Sequence, residues 1–168
     1  MINDIDRLVA IEDIRRLKAL YFRYLDGKQW TDFAGIFAPG AIMDASDPFN
    51  APHPVTGEPF VEGRADLVEG LDPGDMVMTG GDAIAAKARE MFPDVITMHH
   101  GHMPEIDVES MDEARAIWAM EDRLLFVSEA SPIREIQGFG HYHDTYRRID
   151  GEWKIASSKL IRTRVDVR

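Results

Sequence analysis

Residues 138–165 read GFGHYHDTYRRIDGEWKIASSKLIRTRV. Asp150-Gly151 sits between two alternating segments, Gly138–Ile149 and Trp153–Val165, and an Asp-Gly pair in that setting is the strongest short-range signal for a β-hairpin. Upstream, Val95–Glu109 and Ala114–Val127 carry the same strand texture. Further back, Ile5, Leu8, Ile11, Ile14, Leu17, Tyr21 and Leu25 recur at helical spacing, with Arg7, Asp13, Arg16 and Arg23 between them. Asn3 or Asp4 can cap that helix and Gly27 can end it. A shorter stripe, Trp30, Phe33 and Phe37, precedes the break at Pro39-Gly40. Helices first and long hairpin-linked strands afterwards predict an α+β fold, a curled antiparallel sheet packed against the N-terminal helices.

The 168 residues include no cysteine, 19 basic and 30 acidic side chains, and 45% hydrophobic residues. That length suits one domain, residues 1–168, with a real core. The apolar fraction and the aromatic content exclude a disordered chain. A formal charge of −11 argues against nucleic-acid and anionic-membrane partners, because phosphate repels such a surface. The missing cysteines remove disulfides, thiolate zinc sites and cysteine nucleophiles together. No apolar run approaches the roughly 20 residues that span a bilayer, and MINDIDRLVAIEDIRR is charged throughout, unlike a signal peptide. A cytoplasmic protein is expected.

Between Asp44 and Asp94 the texture changes, with acids in excess and only Arg64, Lys87 and Arg89 basic. DPFNAPHPVTGEP is turn chemistry, and two short helices are expected near Glu62–Gly70 and Asp82–Met91. With Met76, Met78 and Met91 offering adaptable apolar contacts, this stretch is expected to cap a pocket.

Several polar residues break the pattern. On the strand Ala114–Phe126 the even positions Ala114, Ala116, Trp118, Met120, Leu124 and Phe126 form one apolar row, and Asp122 stands in it. A buried carboxylate finds a partner or shifts its pKa upward; a structural anchor and a functional acid both fit. Asp26 lies in the last helical turn, where the helix dipole disfavours negative charge. Tyr21 is about 140° away from it around an ideal helix, so their convergence would need an unwound last turn. Histidines cluster at His99, His100 and His102 and again at His141 and His143. The two His-x-His pairs each put two rings on one strand face, as some non-haem metal sites do, but no H-E-x-x-H or complete two-histidine-plus-carboxylate pattern is present. A bulge at Gly101 would place His99 and His102 on the face of Ile106; periodicity alone does not choose between this and the unbulged strand. There is no G-x-S-x-G and no nucleotide-binding glycine loop. One Tyr, two Asp and a His set around a core suit proton transfer.

Four blocks, IEDIRRLKALYFRYLDGKQW, ITMHHGHMPEI, WAMEDRLLF and YHDTYRRIDGEWKI, cover about a third of the chain. In them the sequence resembles the SnoaL-like group of the nuclear-transport-factor-like, cystatin-like cone fold, and within it the bile acid 7-alpha-dehydratases. Scytalone dehydratase and hexachlorocyclohexane dehydrochlorinase share that fold and perform eliminations with a His–Asp pair. The resemblance implies a cone-shaped sheet and catalytic roles for Tyr21, Asp26, His99 and Asp122, which selects His99 over His100 and favours the bulge. Where the group carries a further tyrosine, this chain has Ala45, and its middle segment is longer. A hydrophobic pocket is expected to include His102, Trp118, Met120, Phe126 and Tyr142. The implied activity is a cofactor-free, metal-free lyase, of the dehydratase kind or a related isomerase, acting on a small hydrophobic carbonyl compound. A binding subunit without catalysis is the alternative. A homo-oligomer, dimer or trimer, is expected from the group.

Overall fold

The computed structural model describes residues 2–46, 53, 55–58, 61–64, 66 and 76–168. Its helices are α1 (Asp4–Asp26), α2 (Trp30–Gly35) and α3 (Gly81–Met91). The strands are β1 (Phe37–Asp44), β2 (Val61–Gly63), β3 (Val77–Thr79), β4 (Val95–Val108), β5 (Glu113–Phe126), β6 (Glu135–Ile149) and β7 (Glu152–Val167).

Asn3 caps α1, its side chain accepting from the Asp6 N–H at 2.9 Å, and the Gly27 N–H closes the other end on Arg23. The buried stripe of α1 is Ala10, Ile14, Leu17, Tyr21 and Leu25. Ile5 and Leu8, which the spacing assigns to that stripe, are 74% and 66% exposed. The reason is angular: Ile5 lies about 160° from the centre of the buried stripe on an ideal helix. Nor does the last turn unwind, since α1 stays helical through Asp26. The second helix is shorter than expected, because Phe37 already belongs to β1.

The strands form one curled, unclosed sheet in the order β3-β1-β7-β6-β5-β4, with β2 also on β7. β4 through β7 are antiparallel neighbours joined by hairpins. Asp150 and Gly151 take φ of 51° and 85° at the last turn, the positive pair that matches the twist of the flanking strands. The sheet is mixed rather than antiparallel throughout, because β1 and β2 run parallel to β7. β2 replaces the start of the helix expected over 62–70; Val61, Glu62 and Gly63 pair with Val165, Asp166 and Val167. Of the rest of that helix only Arg64 and Asp66 are described, and residues 47–52, 54, 59–60, 65 and 67–75 of the expected cap lie outside the described residues; its far end forms β3 and α3, with Ile84 and Ala85 buried in the core. The helix expected near Asp82–Met91 is α3.

Two apolar clusters lie inside the curl. The larger joins the α1 stripe and Phe33 to Trp118, Met120, Tyr142, Tyr146 and Ile155. The smaller joins Val95, Leu124, Ile136, Val165 and Val167, with Phe126 against it. Each fully buried large side chain stabilises the fold by about 1.5–3 kcal/mol relative to exposure. Among the described residues no helix is long and apolar enough to cross a membrane.

Candidate active site

The site begins with a one-residue irregularity in β4. His99 pairs with Asp122 and Gly101 with Met120, but the next pair is Pro104 with Trp118. Three steps on β4 therefore face two on β5, which is a bulge. Before it, odd residues point inward; after it, even residues do. His99 is buried while His100 is exposed, with its ring 3.4 Å from Glu121 on the outer face. His102, expected in the pocket, is instead exposed within the bulge, where neither strand face claims it.

Asp26 reaches this strand from the end of α1. Its Oδ1 lies 2.6 Å from His99 Nδ1, and its Oδ2 accepts the His99 backbone N–H at 2.8 Å. Oδ1 also accepts from the Thr97 hydroxyl at 2.9 Å. Burial alone would raise the Asp26 carboxyl; the hydrogen bonds from the His99 ring, the His99 backbone N–H and Thr97 hold it below its ordinary value. An ionised carboxylate on Nδ1 fixes the tautomer with the proton there and leaves Nε2 as the free base. The arrangement holds a proton acceptor in one orientation against the core.

Asp122 faces inward beside His99, as the alternation requires. Arg162 grips it with Nη2 to Oδ2 at 2.7 Å and Nη1 to Oδ1 at 3.0 Å, and both side chains are buried. A fork that donates to both oxygens matches a carboxylate, not a carboxylic acid. Arg162 comes from β7 and crosses β6 at Gly138, where any Cβ would collide with its Nη1. The register places this His99–Asp122–Arg162 band between the two apolar clusters.

Tyr21 sits deeper, 4% exposed, with its ring centroid 5.9 Å from that of Tyr142. Burial, reinforced by the charge of Asp144, pushes its phenol well above the ordinary value, so it stays protonated and available as a donor. Below it lies a group that periodicity missed. Lys18 is fully buried; its Nζ donates to Asp144 Oδ2 at 2.7 Å and lies 3.8 Å from the Tyr142 ring centroid. The Tyr146 hydroxyl donates to the same oxygen at 2.7 Å, and Trp118 Nε1 donates to Tyr146 at 2.9 Å. Burial lowers the Lys18 ammonium from its ordinary value against the pull of Asp144.

Of the residues expected to line a pocket, Trp118, Met120 and Tyr142 share the larger cluster with Tyr21. Phe126 lies with the smaller one. Arg162, Thr97 and Lys18 were not singled out in the sequence; Arg162 shares an inward row with Ser158 and Leu160, and that interruption was its signal. Among the described residues no group of three or more His, Asp or Glu side chains is arranged to hold a metal ion.

A curled sheet wrapped on one long helix, with a histidine–carboxylate pair where they meet, is the architecture of a cone-fold protein. A sequence profile of the SnoaL-like domain matches residues 6–159, and the chain belongs to that family. Probable cyclase FGR4 of Gibberella zeae is 26% identical over 149 residues, covering 89% of this chain and 88% of that one. A crystal structure of a scytalone dehydratase candidate from Novosphingobium aromaticivorans superposes with a TM-score of 0.72 at 21% identity, over 97% of this chain and 90% of that one. Hexachlorocyclohexane dehydrochlorinase LinA-type3 from Novosphingobium barchaimii gives a TM-score of 0.71 at 18% identity, over 99% and 94%.

Proposed function

We propose that this protein is a cofactor-independent lyase that removes water from a hydrophobic substrate, a steroid-like, polyketide or aromatic compound whose carbonyl activates the reacting carbons. The observation that carries the reading is the His99–Asp26 pair, an imidazole whose Nδ1 is held by a carboxylate at 2.6 Å. His99 Nε2 takes the proton α to the carbonyl, and the bonding electrons move onto the carbonyl oxygen. Tyr21, protonated because it is buried, donates to that developing oxyanion. Collapse of the enolate expels the β-hydroxyl, which leaves as water with the proton His99 accepted. Between the two acids left open by the sequence, Tyr21 takes the donor role, because Asp122 is committed to Arg162. The Asp122–Arg162 pair then fixes the wall beside the base. The kinship to a cyclase favours a second reading, isomerisation or ring closure by the same base. A homo-oligomer, dimer or trimer, remains part of the proposal and is read by light scattering.

The test is incubation with a panel of steroid and aromatic β-ketols, followed by product mass. Loss of one water supports the lyase, and an unchanged mass with a new structure supports the isomerase. His99→Ala should lower turnover about a hundredfold or more, the usual scale for a general base, while His100→Ala stays near the parent. The reverse ranking would overturn the assignment.

A further inference from the structure

Lys28 does more than follow the helix cap. It takes φ of 55°, uncommon for a residue with a side chain, and its Nζ donates to Thr97 Oγ1 at 3.0 Å. The rings of Phe92 and Trp30 lie 5.0 and 5.7 Å from the ammonium. Thr97 is 4% exposed, and its hydroxyl passes its own proton on to Asp26 Oδ1 at 2.9 Å. That is the same oxygen that meets the His99 ring.

We propose that Lys28 and Thr97 are positioning residues for the base: the chain Lys28–Thr97–Asp26–His99 locks the carboxylate rotamer and draws negative charge away from the ring, making His99 a weaker base that stays neutral and competent to lower pH. The inference rests on the reading of His99 as the base. The geometry gives the sign. A cation behind the carboxylate opposes an imidazolium in front of it, and a carboxylate that loses a hydrogen-bond donor holds an imidazolium more tightly. The other groups near the ring do not reverse it. Asp122 of β5 is neutralised by Arg162 of β7, Tyr21 of α1 and Tyr142 of β6 stay protonated through burial, and His100 with Glu121 lies on the opposite face.

Titration of the His99 ring by NMR tests this without needing a substrate. Lys28→Met and Thr97→Val should each move the midpoint to higher pH, by about half a unit for a single charge at partly screened range. Lys28→Arg and Thr97→Ser keep the charge and the hydroxyl and should stay near the parent. Lys28 is only half-buried, so its variants fold and decide the matter even if Thr97→Val does not. An unmoved midpoint in folded Lys28→Met overturns the relay. Upward shifts in a protein that acts on no ketol support the relay and remove the lyase reading instead.

Discussion

His99 meets its carboxylate partner, Asp26, across 73 positions of the chain. Asp26 binds it twice, at the ring and at the backbone N–H, so the imidazole can neither rotate nor drift along the strand. If the ring accepts the substrate proton, activity rises as His99 loses its own proton. Asp26→Asn removes the negative partner of the imidazolium, so the acid limb of the rate profile should move to lower pH, opposite in sign to Lys28→Met. An unmoved limb with activity still measurable would take Asp26 out of the pair. The same carboxyl also contributes to stability. Its folded value lies below the ordinary 3.8, so its contribution is intact above that pH and is lost as pH falls through the lower, folded-state value.

At the scale of elements, β6 serves the site by what Gly138 lacks. Arg162 reaches Asp122 by lying across the strand, and a Cβ at Gly138 would fall on Arg162 Nη1 and within 2.6 Å of Asp122 Oδ1. Gly138→Ala must displace the guanidinium or the strand. We expect a loss of stability on the order of 3 kcal/mol in urea unfolding, combining overpacking with a disturbed buried pair; an unchanged midpoint would show that the crossing is not tight. Such features explain what was legible beforehand. Alternation on β5 and the Asp150-Gly151 turn are local, and they located three strands and the inward side of Asp122. β1 escaped notice because Pro39-Gly40 reads as a break, and β2 because three residues carry no period. The bulge needed the register with β5. Lys18 and Arg162 depend on partners 126 and 40 residues away, and no window along the chain contains such a pair.

Across the whole molecule, polar groups are layered between apolar ones. Lys18–Asp144 lies within the larger cluster, and His99–Asp122–Arg162 lies between that cluster and the smaller one. Such pairs are costly to break singly. Lys18→Met leaves the Asp144 charge buried with only a tyrosine hydroxyl, and should lower stability by about 3–5 kcal/mol in denaturant titration. Adding Asp144→Leu should recover much of it, since replacing both partners with apolar groups is often close to neutral. A silent Lys18→Met would mean that the pair contributes nothing. The β6–β7 turn stands apart from these layers. It is exposed and separated from Gly138 by about 35 Å of strand. Because the sequence has no cysteine, a thiol introduced at exposed Glu152 would be unique in the molecule. A fluorophore conjugated there would report tumbling without touching the buried polar band.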